Sequence, residues 1–483
     1  MKTAVGEESR EMGVKIGKPI LVSGLGITIA LGVWEAFHSR LAEVGEWGMI
    51  GAIAVGAGLW FFRKPTPSLD FLRPSPLNRE KVLEAIERAN TIVNYLEKEA
   101  PETDISALKQ EIAALPRRFD RQTLQVAIAG TRKTGKTALQ EVLSAKNFGD
   151  GVSFVETEPL LTITGAGEEK TALASDLVLY LVNGDLTDSE WQILQEFDRK
   201  HLRSLLLLTK QDRLHPEEKE EILLALKQRI KDTIPVENIL SIAAAPEPMK
   251  VRQHQADGEI IESIEPRQIE IDALENRLTR IFQQERESLV FGTLWREAVA
   301  LQERGKSLLN ESRRKRAIPV IEQYQWIAAA TAFANPVAAL DLVAAAAING
   351  QMLVDLGEIY QQKISLAGAR TAAETIGKLM VQLGVVEVTT QAIGALLKGN
   401  ALTYIAGGTV QGVSAAYLTR LAGLSVIEYF QEQEITAKTG EEFNLDRLAR
   451  KIKQIFEQNQ RIAFLQDFVK QAIPHLAEAK VAG

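Results

Sequence analysis

Gly130-Thr131-Arg132-Lys133-Thr134-Gly135-Lys136-Thr137 spells G-x-x-x-x-G-K-T, directly after the apolar run Leu124-Gln125-Val126-Ala127-Ile128-Ala129. An apolar run feeding a glycine turn that opens a helical pattern predicts strand, phosphate-binding loop and helix, in that order. The glycines let backbone N–H groups close around phosphate oxygens, and the helix N-terminus adds the positive end of its dipole. All eight residues, 130–137, are expected to line a nucleotide-phosphate site. Lys136 is expected to reach the β- and γ-phosphates as the catalytic cation, and the Thr137 hydroxyl to ligate Mg²⁺.

Working outward, residues 152–157 and 160–164 read as short strands. Asp176-Leu177-Val178-Leu179-Tyr180-Leu181-Val182 reads as a buried parallel strand, and 205–208 and 239–243 read likewise. Helical patterns at 188–200, 216–231 and 267–287 fill the gaps. Strands alternating with helices predict an α/β domain over 123–282, a doubly wound, mostly parallel sheet. A proline-rich linker (65–76) and amphipathic helices at 78–99 and 105–115 precede it.

A second motif, Thr209-Lys210-Gln211-Asp212, follows the 205–208 run. It resembles the guanine-reading N/T-K-x-D motif of regulatory GTPases, in the threonine form of the dynamin superfamily. An ionised Asp212 can accept both the N1–H and the exocyclic amine of guanine, whereas adenine offers neither there. Lys210 would lie along the base, with Thr209 opening the turn. Ser241-Ile242-Ala243-Ala244 resembles the short S-A motif whose backbone N–H touches guanine O6, which implies Ser241 and Ala243 in the base pocket. The resemblance, to Era/dynamin-like GTPases over about 160 residues, implies GTP/GDP with Mg²⁺ as cofactors.

One departure from that family is expected to matter. Its D-x-x-G motif should fall near Thr164-Gly165-Ala166-Gly167, so Thr164 stands where the magnesium-orienting aspartate would be. Thr157 is the counterpart chosen for the first-switch threonine, with Thr162 a weaker choice. Because hydrolysis depends on placing Mg²⁺ and the attacking water, slow or partner-dependent turnover is expected. Asp176 begins a strand and Asp185 follows one in a turn, so neither is expected to hold the metal.

Composition sets the surroundings. A chain of 483 residues with net charge -7 is long enough for several domains and too acidic for nucleic acid as its main partner. With no cysteine, disulfides and thiolate metal sites are excluded, and the five histidines show no metal spacing. Residues 19–34 and 47–62 are uncharged, end in aromatics and carry small residues four apart; basic flanks and an acidic connector surround them. This pattern predicts a membrane helical hairpin over 1–64 with both ends on the cytoplasmic side.

The C-terminal half reads as helical throughout. A long helix over 288–316 ends in Arg313-Arg314-Lys315-Arg316, read either as a solvated end or as an anionic-lipid contact. Segments 327–348, 376–397 and 401–427 are rich in Ala and Gly and interrupted by single charges. They are expected to form a peripheral or partly inserted bundle rather than spanning helices. Ala334-Asn335-Pro336-Val337-Ala338 with these helices resembles the YcjF-type helical domain of unknown function, found in bacterial membrane-associated GTPases.

The expected division is hairpin (1–64), linker and amphipathic helices (65–122), nucleotide domain (123–282), connecting helix (283–316), Ala/Gly-rich domain (317–435) and amphipathic tail (436–483). The expected partners are membrane lipid, a second copy of the chain and an unidentified protein, at a bacterial membrane with the nucleotide domain cytoplasmic. The function expected is a GTPase switch, with a non-hydrolysing GTP-binding scaffold as the alternative; an ATPase transporter component is disfavoured by Thr209–Asp212.

Overall fold

The computed structural model describes residues 77–146, 148–149, 151–158, 168–254, 260–334, 338–398, 408–433, 444–459 and 462–482. The expected N-terminal hairpin, the 160–164 strand with Thr164, and Asn335-Pro336 lie outside them.

Strand β1 (Leu124–Gly130) has β2 (Val152–Glu156) on one side and β3 (Leu177–Val182) on the other, followed by β4 (Arg203–Leu208) and β5 (Ile239–Ser241). All these pairings are parallel, in the order β2-β1-β3-β4-β5. The apolar runs of β3 and β4 are buried on both faces, as a covered parallel sheet requires. Alternate residues go to opposite layers. Val126, Ile128, Leu177, Leu179, Leu205 and Leu207 share one core with α3 (Lys136–Ala145), α7 (Asp272–Gln284) and α1 (Arg79–Glu99), of which α3 and α7 pack on the sheet itself. Ala127, Tyr180, Val182, Leu206 and Leu208 face α4 (Glu168–Ala174), α5 (Asp188–Arg199) and α6 (Pro216–Ile230). Helix α2 (Ser106–Ala114) packs beside α1 in the first layer. The α5 N-terminus is set by a capping box, Thr187 and Glu190 satisfying each other's backbone N–H.

An antiparallel ribbon, β6 (Met249–His254) and β7 (Ile260–Glu265), is inserted between β5 and α7. Sequence pattern had not indicated it, because its strands are largely polar. The ribbon also corrects the expected 267–287 helix: residues 266–271 form its return arm, and α7 starts at Asp272.

The connecting helix does not stop at Arg316. Helix α8 (Arg286–Ala334) runs on through Pro319, merging two expected elements. An interior proline costs roughly 3 kcal/mol. Burial of Ala317 and Ile321 beside it opposes that cost, and Gly423 lies so close that a Cβ there would sit 2.7 Å from Ile321 Cγ1. The core changes within this one helix: Leu309 belongs to the sheet domain's core and Ala317 to that of the helical half.

The helical half comprises α9 (Ala338–Ile359), α10 (Leu366–Gln382), α11 (Val385–Lys398), α12 (Thr409–Glu432), α13 (Leu445–Asn459) and α14 (Ile462–Ala482). The expected 376–397 segment is broken at Leu383-Gly384, where Gly384 takes φ +70°, so α10 and α11 meet at a 70° bend. Among the described residues no single helix is long and apolar enough to cross a membrane; only the two helices of this bent pair together match a span, in length and composition alone.

Candidate functional site

The eight-residue motif joins the C-terminal end of β1 to α3. Three residues of the turn have positive φ: Gly130 (148°), Lys133 (63°) and Gly135 (93°). At Gly130 a side chain is also excluded by space, since a Cβ would approach Leu181 O to 2.6 Å. Thr134 Oγ1 donates to Thr131 O at 2.9 Å and closes the loop on itself. Lys136 folds back beneath it, donating to Gly130 O (3.3 Å) and Thr131 O (3.1 Å). Its side chain is buried, and burial lowers the ammonium pKa, opposed by the charge of Glu156. Its hydrogen bonds go to carbonyls and the Glu156 charge offsets burial in part; phosphate oxygens would supply a direct counter-charge. Arg132, Lys133 and Thr137 are exposed around the mouth.

Thr137 Oγ1 donates to Glu156 Oε2 at 2.8 Å. Glu156 is the last residue of β2 and lies in register with Ile128 of β1. Thr157, the next residue, is 2% exposed, with its N–H (3.0 Å) and hydroxyl (3.4 Å) both donated to Ile128 O. It continues the strand and does not face the loop's mouth through that hydroxyl. The acidic residue expected near position 164 lies outside the described residues. Glu156 is not singled out by the sequence because its place depends on which strands pair: β2, one of the two neighbours of β1, ends in it.

A hydroxyl and a carboxylate 2.8 Å apart are hard oxygen donors of the kind Mg²⁺ takes, usually completed by phosphate and water. The described residues contain no group of three or more acidic or imidazole side chains arranged for a metal, so phosphate would have to share the coordination. Thr137 and Glu156 therefore fit the ion as partial ligands.

The second motif occupies the C-terminal end of β4. Thr209 is buried, its N–H (2.9 Å) and hydroxyl (3.1 Å) both donated to Val182 O. Lys210 adopts φ +58° and leads into a short turn, Gln211–Arg213, that presents Asp212. One carboxylate oxygen of Asp212 accepts the Glu247 N–H at 3.0 Å, and its carbonyl accepts Arg267 Nη1 at 2.6 Å. Ser241 ends β5 opposite Leu208. Ala243 lies beside this turn, but its N–H is donated to Glu270 O at 2.9 Å and that of Ile242 to Leu208 O at 2.8 Å. Of the segment expected to touch guanine O6, the Ile242 and Ala243 N–H groups are thus committed within the protein, the latter to the return arm of the ribbon.

Both motifs and Glu156 sit at carboxyl ends of parallel strands, the edge where open α/β sheets hold ligands. Asp176 lies at the opposite edge, where its carboxylate accepts from Arg121, the Gln125 N–H (2.8 Å) and Thr293 Oγ1 (2.6 Å). Arg296 of α8 joins this group, donating to Leu173, Ser175 and His201 carbonyls. Burial lowers its pKa to about 10, opposed by Asp176. Asp185 is exposed and pairs with Arg229.

The basic run 313–316 is engaged within the chain. Arg313 and Arg316 both bind Glu99 at the end of α1, Arg314 binds Glu428, and Lys315 binds Glu311. Burial raises the Glu99 carboxyl pKa, but the two guanidinium groups outweigh it and leave the group below its ordinary value.

A family model described as a domain of unknown function, DUF697, matches residues 296–461, from α8 to just beyond α13. No curated protein matches the sequence. Among solved structures, the chain is similar to LeoA, a bacterial dynamin GTPase from ETEC, with 12% identity, 83% of this chain and 98% of that one covered, and a TM-score of 0.27. It is also similar to a member of an oligomerised bacterial dynamin pair described as sensing and tethering membranes (14% identity, 87% and 81% covered, TM-score 0.24). A LAO/AO transport system kinase follows at 10% identity, 60% and 100% covered, TM-score 0.22. No residue of this chain takes its role from them.

Proposed function

We propose that this chain is a guanine-nucleotide-binding protein acting at a membrane surface, with slow or partner-dependent GTP hydrolysis. The observation that carries the nucleotide reading is Lys136, buried beneath the glycine loop with its ammonium hydrogen-bonded to the loop carbonyls of Gly130 and Thr131. Loop N–H groups and Lys136 would bind the phosphates, and Asp212 would read the base.

Thr137 and Glu156 would hold Mg²⁺, which would supply charge neutralisation between the phosphates. Glu156 supplies in this account the carboxylate that the sequence lacks at Thr164. Thr157, the expected first-switch counterpart, spends its hydroxyl on Ile128 O. That supports slow turnover, with the non-hydrolysing scaffold as its limiting case.

The membrane reading rests on the α10–α11 elbow. Val381, Leu383 and Val388 are exposed there, on the bent helix pair whose composition suits a lipid phase. Exposed apolar side chains clustered at one bend suit partial insertion. The basic run at 313–316 contributes nothing to lipid binding in this account, since its charges are paired internally.

Single-turnover hydrolysis of GTP by purified protein, with and without liposomes, tests the proposal. Slow release of phosphate, faster with vesicles or at high protein concentration, is expected. Hydrolysis of ATP at the same rate as GTP would overturn it.

A further inference from the structure

The ribbon β6–β7 leaves and rejoins the sheet domain at the turn that carries Asp212. On the outgoing arm, the Gln211 N–H is donated to Ile242 O (3.2 Å), and the Glu247 N–H to Asp212 Oδ2 (3.0 Å). On the return arm, Ala243 and Glu270 exchange two backbone bonds of 2.9 Å each. Gln211 Nε2 donates to Glu270 Oε2 (2.6 Å), and Arg267 Nη1 to Asp212 O (2.6 Å). Arg213 and Glu247 form an ion pair across the same gap. Both arms thus grip residues 211–213 through backbone and side chain.

We propose that this clasp is the specificity device of the base site: the Glu247 N–H and Arg267 are positioning groups that hold the Asp212 carboxylate aimed at the guanine donors. The inference rests on Asp212 being the guanine reader. A carboxylate has about four acceptor sites, so the Glu247 N–H fixes its rotation and still leaves room for the N1–H and exocyclic amine. A half-buried aspartate on a short turn would otherwise sample more than one rotamer and pay ordering entropy on each binding event. Because the device acts only on the base edge, it bears on the choice among bases and not on the grip of the phosphates.

Glu247 lies between Pro246 and Pro248, and a following proline already confines it to extended backbone. Glu247→Pro therefore deletes the N–H with little change of path, whereas Glu247→Ala keeps the N–H and removes only the ion pair. Competition of GTP, ITP and ATP against a fluorescent GDP analogue reads the effect. The GTP-over-ATP ratio is expected to fall about tenfold in Glu247→Pro and less than twofold in Glu247→Ala. Arg267→Ala should lower it about threefold and should decide the matter if the proline variant does not fold. ITP, lacking the exocyclic amine, should lose less than GTP. A folded Glu247→Pro, or Arg267→Ala, with the wild-type ratio would overturn the inference. A wild-type protein indifferent between GTP and ATP would instead overturn the guanine reading itself, and this clasp with it.

Discussion

The hydroxyl of Thr137 and the carboxylate of Glu156 lie 2.8 Å apart, bridging the first turn of α3 and the last residue of the strand beside β1. Magnesium bound with nucleotide would meet both oxygens, so the metal dependence of binding should report on Glu156. Glu156→Gln keeps an acceptor for the Thr137 hydroxyl and removes the charge. The strengthening of GTP binding by Mg²⁺, measured against EDTA, is expected to fall about 10- to 100-fold. Full retention of that strengthening would remove Glu156 from the metal site.

Glu99 ties α1 to α8 through Arg313, which is 4% exposed, and through Arg316. Glu99→Ala leaves a buried guanidinium without its partner and should cost about 3–5 kcal/mol in denaturant unfolding. The pH dependence has a definite sign. The carboxyl is held below its ordinary value of 4.5 in the folded chain, so the unfolded chain binds more protons in that range. The contribution is present above that value and is lost as pH falls through it toward the folded pKa. Glu99→Gln should flatten the acid limb of the stability curve; an unchanged limb would contradict the assignment.

At the elbow, Val381 is 65% and Val388 50% exposed. Fully burying one such side chain is worth about 1.5–3 kcal/mol. Val381→Asp combined with Val388→Asp should therefore reduce co-sedimentation with liposomes at least tenfold, leaving nucleotide affinity unchanged. Equal sedimentation of the variant would remove the elbow as the lipid contact.

Much of the sheet domain was legible in the sequence, because its physics is local. The apolar runs of β3 and β4 have no alternative to burial, and the turn at 130–137 needs glycine where φ is positive. The two motifs fall at strand ends that the same runs predict. What was missed depends on pairing. Only the pairing of β2 with β1 shows that Glu156 ends a strand parallel to β1. Only the return arm shows that the Ala243 N–H is spent on Glu270. The ribbon escaped because its apolar alternation is short: in Met249–His254 only Met249 and Val251 are apolar. Helix α8 continues past Pro319 because Ile321 packs on Gly423, a contact about a hundred residues away in sequence.

The central claim is that Lys136 and Asp212 belong to one guanine-nucleotide site. Equilibrium binding of a fluorescent GTP analogue, with unlabelled GTP and ATP as competitors, tests it most directly on the wild-type chain, Lys136→Ala and Asp212→Asn. The account predicts displacement by GTP but not by a hundredfold excess of ATP, no measurable binding by Lys136→Ala, and loss of the GTP preference in Asp212→Asn, where an amide donor faces guanine donors. Equal displacement by ATP in the wild type, or unaltered GTP binding by Lys136→Ala, would contradict it.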